Sequence, residues 1–354
     1  MEARRIRMAA ANRQIRLVAR PGATGVDADC FAIEPAERPQ PGANELLIRV
    51  IYLSIDPAMR GWIAEVPNYR DPVPLGAVMP GFTLGEIVAS NHPDFATGEL
   101  VYGRQGWREW AISDGTDIVR RADPAHGPLP INLSLLGLTG VTAYLGLMEI
   151  GKPKEGETVV VSTAAGAVGS TVGQIAKLLG CHTVGLTGHA DKVGLCVSEF
   201  GYDAAINYKA ADDLPRTIHN AAPHGVDIYF DNTGGEIADA VVENLNVGAR
   251  MVICGTIAQP SDPTPEGPRW NRQFLIKRAR MEGFLVLDHI ERFRDAATQL
   301  AEWYRAGKIN SREEIVDGLE NAPEALMRLL RGANHGKMMV RVGPEPLAEP
   351  RRGG

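Results

Sequence analysis

TVVVSTAAGAVGSTVGQIAKLLG, residues 158–180, decides the fold. Thr158–Ser162 is a near-continuous apolar run, as expected of a strand buried on both faces. It leads into Ala164-x-Gly166-x-x-Gly169, and an apolar-periodic segment, Ser170–Leu179, follows and stops at Gly180. Strand, glycine turn and helix in this order form a dinucleotide fingerprint, here with Ala in the first glycine position. Gly166 leaves the backbone bare for a pyrophosphate, and Gly169 lets the helix lie close on the strand. The helix N-terminus supplies N–H groups and positive dipole.

Downstream, strands and helices alternate. His182–Leu186, Ala204–Asn207, Asp227–Phe230 and Arg250–Cys254 read as strands, and Met281–Leu287 as a sixth. Lys192–Phe200, Asp213–Ala221, Ile237–Leu245 and Ile290–Ala306 read as helices, and Leu135–Ile150 as a helix before the first strand. Such alternation implies right-handed crossovers and a parallel sheet. After it, REEIVDGL reads as helix-poor, Pro323–Leu330 as a helix and Lys337–Val342 as a strand. Residues 13–130 differ: short β-like runs such as Glu45–Leu53, Gly85–Ser90 and Glu109–Ile112 are separated by RPQPGAN, DPVPLGAVMPG and NHPDFATGE. Frequent Gly and Pro turns between short strands argue a barrel or sandwich.

The chain has 354 residues, 37 basic and 43 acidic side chains and a net charge of −6. A length of this order favours two domains. The mildly acidic balance gives no global attraction to nucleic acid or anionic membrane. No apolar stretch reaches the roughly 20 residues of a membrane span. Cys30, Cys181, Cys196 and Cys254 are scattered, without a C-x-x-C pair, which fits a reducing cytoplasm rather than a disulfide framework. The eight His form no ligand-spaced cluster with Cys or Glu, so no metal is expected. A G-x-S-x-G elbow is absent too, and serine hydrolase chemistry has no support.

The end of the second strand, Val184-Gly185-Leu186-Thr187-Gly188, carries no Asp or Glu for ribose hydroxyls. Lys192 follows, and Tyr208 sits past the third strand. NADP(H) is therefore favoured over NAD(H). A solvated first-turn lysine is the alternative for Lys192, and Asp191 beside it weakens the charge argument.

Together with FDNTGG (230–235), ICGTI (253–257), GLENAPEALMRLLRGANHGKMMVRV (318–342), NRQIRLVARP, YLSIDPAMRG and KPKEGETVVV, the fingerprint carries a resemblance over residues 12–342. The chain resembles the zinc-independent medium-chain dehydrogenase/reductases of the prostaglandin reductase, leukotriene B4 12-hydroxydehydrogenase and 2-alkenal reductase type, in the branch of the bacterial NADPH-dependent curcumin reductases. The resemblance implies an α/β protein: a GroES-like β-barrel domain, 1–134 and 310–354, around a Rossmann doubly wound parallel-sheet domain, 135–309, with the active site in the cleft. It implies NADPH-dependent, metal-free reduction of the carbon–carbon double bond of α,β-unsaturated ketones or aldehydes, and a cytoplasmic homodimer.

Carried over by motif, Gly166, Ala167, Val168 and Gly169 hold the pyrophosphate, and Lys192 and Tyr208 the 2′-phosphate. Asn232, the strand end Cys254, Gly255, Thr256, Ile257 and Ala258, the segment Phe284, Leu285 and Val286, and Asn334 line the rest of the cofactor site. Two family tyrosines are replaced, by Ala58 and by Pro260, which leaves room in the substrate pocket for Trp62 or Trp107. A donor to the developing enolate oxygen then has to come from the cofactor's ribose, a backbone N–H, Tyr69 or Tyr52. Tyr69, in the loop PNYRDP, matches a tyrosine of the curcumin reductases and is by that resemblance the better candidate, with a packing tyrosine in a loop as its alternative. Tyr52 lies in a strand run, where tyrosines are more often core. Two other readings stay open: quinone reduction with NADPH, and a weakly catalytic NADPH-binding module.

Overall fold

The first strands follow the Pro- and Gly-punctuated pattern of the front of the chain. In the computed structural model, which describes residues 11–22, 25–66, 69–258 and 266–346, β1 (Ala11–Leu17) and β2 (Phe31–Glu37) form an antiparallel pair. β3 (Leu46–Ser54) comes next, then the short α1 (Met59–Trp62) and β4–β7 (Thr83–Ser90, Leu100–Gly103, Trp110–Ser113 and Ile118–Arg121).

The next stretch alternates. α2 (Leu138–Leu145) widens into a π-helical turn, Gly146–Gly151, and β8 (Thr158–Ser162) follows. Then come α3 (Ala167–Leu178), β9 (His182–Thr187), α4 (Ala190–Ser198), β10 (Ala204–Asn207), α5 (Leu214–Ala221), β11 (Val226–Asp231), α6 (Gly235–Val242), β12 (Leu245–Ile253), α7 (Asn271–Lys277), β13 (Arg280–Gly283) and α8 (Phe293–Arg305). The chain ends through β14 (Glu313–Asp317), α9 (Ala322–Leu330) and β15 (Lys337–Arg341).

By contacts, the described residues fall into two units. One holds the residues up to Leu133, Ile315–Arg331 and those from Met338 on; the other holds Ser134–Glu314 and Gly332–Lys337. The expected return point at 310 shifts accordingly. Residues 310–314 and 332–337 stay with the second unit, where the Asn310 N–H donates to Gln174 Oε1 (2.6 Å) and Lys192 Nζ donates to the Gly332 carbonyl (2.7 Å).

In the first unit a seven-stranded sheet runs β14-β15-β3-β4-β5-β7, with β6 pairing β3. β3 is central and buried along nearly its whole length. A core of Ile15, Leu53, Met59, Trp107, Leu326 and Met338 packs there, so residues from both ends of the sequence share one interior.

In the second unit the sheet order is β10-β9-β8-β11-β12-β13, with all five strand pairings parallel. Numbered from β8, this is 3-2-1-4-5-6, the doubly wound order, and its reversal lies between β8 and β11. The β8 side chains are all buried, as the apolar run requires. At the amino ends of the strands, Arg250 closes the sheet. Its guanidinium donates to both oxygens of Glu157 (2.8 and 2.5 Å) and to the Gly151 carbonyl (2.8 Å).

Three expected elements are shorter than their sequence patterns. The helix expected from Leu135 starts at Leu138 and changes pitch at Gly146. A Cβ there would lie 2.6 Å from Phe284 Cζ and 2.9 Å from Phe230 Cε2. The sixth strand stops at Gly283 because β12 ends opposite it at Ile253. The helix expected from Ile290 starts at Phe293.

The Ala in the first fingerprint position has a structural counterpart. Ala164 is fully buried, and a Cβ on Gly185 of β9 would come 2.8 Å from the Ala164 Cβ. The glycine that makes room for Ala164 is on the neighbouring strand. Gly185→Ala is therefore expected to cost about 1–3 kcal/mol by overpacking. The same change made in an Ala164→Gly background should cost much less, as urea denaturation of the four proteins would show. Equal costs in both backgrounds would refute the pairing.

Candidate functional site

The carboxyl ends of β8 and β11 meet at the reversal of the strand order, the place where open α/β sheets bind ligands. Thr163, just past β8, has φ +53°, a left-handed conformation that a β-branched residue rarely adopts. This bend turns the Thr163 carbonyl under the start of α3, where it accepts the Gly166 N–H (2.9 Å). A Cβ on Gly169 would lie 2.4 Å from that carbonyl oxygen and 2.8 Å from Ala164 Cα. No side chain fits at 169. Tyr202 extends the constraint: its hydroxyl donates to the Gly169 carbonyl (2.6 Å), and a Cβ on Gly173 would lie 2.1 Å from its ring.

Gly166 is the N-cap of α3, with no side chain capping the helix and no acid in its first turn. The N–H groups of the first turn are orphans of the helix, and together with its dipole they form an anion site. Gly166, Ala167 and Val168 are partly exposed, while Gly169 is buried.

Asp231 organises the other side of the reversal. It is 1% exposed, and its Oδ1 accepts from Ser162 Oγ (3.1 Å), Tyr229 OH (2.9 Å), and the N–H groups of Thr233 and Gly234 (2.8 Å each). Its carbonyl accepts from Cys254 and Gly255. Gly234 and Gly235 have φ +70° and +62°, which accounts for the glycine pair in FDNTGG. Asn232 is tied to β8: its N–H reaches Ser162 Oγ and its amide donates to the Ser162 carbonyl (2.8 Å each). The Ala258 N–H donates to Thr233 O (3.0 Å), so Cys254–Ala258 runs beside Asn232. Burial pushes the Cys254 thiol up to about 12, with Asp231 adding to the effect. Thr256 is exposed, Ile257 partly so.

The segment 332–337 comes back to this end. Gly336 bridges to Gly166 in parallel, and the buried Asn334 donates to Gly336 O (2.7 Å). Lys192, 9% exposed, lies at the first turn of α4. Burial lowers its pKa, and Asp191 and Glu314 oppose that shift. Just before α4, the Tyr208 hydroxyl sits 2.8 Å from where a Gly188 Cβ would be. Phe284 packs on Gly146, Val286 is buried and Leu285 is exposed. The residues of the second unit singled out in the sequence thus follow the carboxyl ends of β8 to β13, joined by Asn334 of the segment 332–337. Three contributors give no isolated sequence signal: Thr163 through its φ, Asp231 as a hub, and His335, which holds Asp191 and Glu314 (2.5 and 2.7 Å). Only an acid closing an apolar strand hints at Asp231 in advance.

In the first unit, Trp62 Nε1 donates to the Tyr69 hydroxyl oxygen (2.6 Å), and the Arg70 guanidinium lies 5.0 Å over the Trp62 ring. Burial raises the Tyr69 pKa, while the Trp62 hydrogen bond and Arg70 pull it down. Tyr69 is 46% exposed, and among the described residues no acceptor takes its proton. Ala58 is exposed at the N-cap of α1.

Two expectations change. Tyr52 is 2% exposed and its hydroxyl donates to Glu345 (2.5 Å), so it is committed within the unit. Trp107 is fully buried, stacked on Phe31 at 5.4 Å and pressed on Gly81, and is a core ring rather than a pocket wall. Pro260 lies outside the described residues. Among the described residues, no group of three or more His, Cys, Asp or Glu could hold a metal ion, and no helix is long and apolar enough to cross a membrane.

Comparisons with known proteins place the chain among oxidoreductases. A family model described as the N-terminal domain of oxidoreductase matches residues 13–120, and one described as zinc-binding dehydrogenase matches 167–303. The NADPH-dependent curcumin reductase of Escherichia coli (strain K12) is 42% identical over 337 residues, 94% of this chain and 97% of that protein. The NADP(+)-dependent 2-alkenal reductase of Nicotiana tabacum is 39% identical over 305 residues, 86% and 89% of the two chains. The crystal structure of CurA in complex with NADPH from Vibrio vulnificus superposes with a TM-score of 0.88 at 42% identity, covering 94% of this chain and 100% of that one. At these identities over nearly whole lengths, the chain belongs to the zinc-independent medium-chain dehydrogenase/reductases of the curcumin reductase, 2-alkenal reductase and prostaglandin reductase type.

Proposed function

We propose that this chain is an NADPH-dependent reductase of the carbon–carbon double bond of α,β-unsaturated ketones and aldehydes. The observation that carries the reading is the uncapped α3 N-terminus over the Gly166–Gly169 turn, followed by a buried lysine and no acid at the end of β9. These residues fit NADP(H). Gly166 to Gly169 hold the pyrophosphate: Gly166 leaves the backbone bare at the helix start, and Gly169, where a Cβ would meet the Thr163 carbonyl, lets α3 lie close on β8. Lys192 and Tyr208 hold the 2′-phosphate. Asn232, Cys254–Ala258, Phe284–Val286 and Asn334 complete the cofactor site. Bound NADPH supplies a hydride to the carbon β to the carbonyl.

The chain's own task is then to stabilise negative charge on the carbonyl oxygen. Tyr69 is the proposed donor: its oxygen already accepts from Trp62, so its proton is free to point at an acceptor. Trp62 acts as a positioning residue. The α-carbon takes its proton from water. Ala58, Trp62 and Pro260 are proposed for the substrate pocket.

A homodimer is also proposed. Its support is β13, an edge strand with all four residues exposed, continued by exposed Leu285, Leu287 and Ile290. An exposed edge strand with an apolar continuation is a pairing surface. Four unpaired cysteines support a reducing, cytoplasmic setting.

NADPH oxidation against enones, enals, quinones and aldehydes tests the reaction. The expected product is the saturated carbonyl compound, two mass units heavier than the substrate; turnover with quinones alone would replace the reading. Tyr69→Phe should slow single-turnover hydride transfer about 10- to 100-fold. Trp62→Phe should slow it less and raise the Tyr69 pKa in an ultraviolet titration, and it should add nothing once Tyr69 is Phe. An unchanged rate in Tyr69→Phe removes that residue from the mechanism. Met281→Lys with Leu285→Lys should halve the mass seen by light scattering; a wild-type mass of one chain would end the dimer proposal.

A further inference from the structure

Asp191 poses a problem for the proposed cofactor preference. It directly precedes Lys192 at the start of α4, where a free carboxylate would repel a 2′-phosphate. The structure shows what holds that carboxylate: His335 Nε2 bonds Asp191 Oδ2 at 2.5 Å, across 144 residues of sequence. The same residue's backbone N–H donates to Glu314 Oε2 at 2.7 Å. Asp191 and Glu314 are the carboxylates that act on the Lys192 ammonium, and Lys209 is the cation that does. Both carboxylates are thus anchored on His335, one through the ring and one through the main chain. Lys192, meanwhile, is oriented by the Gly332 carbonyl three residues upstream.

We propose that His335 is a positioning residue for cofactor choice. By holding the Asp191 carboxylate it keeps that charge from turning toward a 2′-phosphate at Lys192 and Tyr208, and so sets the preference for NADPH over NADH. This rests on the NADP(H) reading above. Removing the ring frees Asp191 but leaves the main-chain anchor of Glu314 in place. The consequence is therefore specific to a ligand with a 2′-phosphate, since repulsion needs the second charge.

The test is the dissociation constant of NADPH and of NADH, from nicotinamide fluorescence, for wild type, His335→Ala, Asp191→Asn and the double variant. His335→Ala should weaken NADPH about three- to five-fold, the upper scale of a partly exposed charge interaction, and leave NADH within about two-fold. Adding Asp191→Asn should bring NADPH back to within about two-fold of wild type. His335→Gln, which keeps an N–H donor, should retain most of the preference. Parallel weakening of both cofactors, or no recovery in the double variant, overturns the proposal while leaving the NADP(H) reading intact. Equal wild-type affinity for the two cofactors overturns both.

Discussion

The approach of the Thr163 carbonyl to Gly169 is the constraint on which the second unit depends. A Cβ at 169 would sit 2.4 Å from that oxygen, so α3 can lie this close to β8 only over bare backbone. The closeness propagates. Gly173, one turn on, accommodates Tyr202, and Gly185 on the next strand accommodates Ala164. Glycines inside a helix cost about 1 kcal/mol each relative to alanine. Helix-to-sheet packing and the Tyr202 hydroxyl, which finds its acceptor at Gly169, offset that cost. What the arrangement yields is an uncapped helix start held at a fixed place above the sheet.

The sheet is tied at both ends, in different ways. At the amino ends Arg250 spans Glu157, Gly151 and Lys152. At the carboxyl ends Asp231 collects four donors on one oxygen, which fixes the loops after β8 and β11 to each other. A buried carboxylate with its donors in place is tolerated, and one without them is costly. The loops that carry Asn232 and Cys254–Ala258 are therefore rigid relative to the turn at Gly166. That rigidity suits a ligand that must present one carbon to its substrate in one orientation.

Much of this was legible beforehand, because local pattern reports local structure. The apolar run of β8, the glycine spacing of α3, the acid-free end of β9 and the strand–helix alternation all follow from neighbours in sequence. Lys192 was readable as a charge, but its burial and its link to Gly332 were not. Long-range partners escaped altogether. Tyr52 finds Glu345 across 293 residues, which withdraws its hydroxyl from chemistry. Trp107 lies in a core shared with Leu326 and Met338, which no segment near it announces. Asp191 reads locally as a bare charge beside Lys192, and its partner His335 lies 144 residues away. Strand ends likewise depend on a partner's length, as β13 shows by stopping where β12 stops.

The central claim is that a hydride reaches the carbon β to the carbonyl, and isotopic tracing tests it directly. With NADPH deuterated at nicotinamide C4 and an enone substrate, nuclear magnetic resonance of the product should place deuterium on the β-carbon of a saturated ketone. Deuterium on the carbinol carbon of an allylic alcohol, or none in the product, would contradict the account.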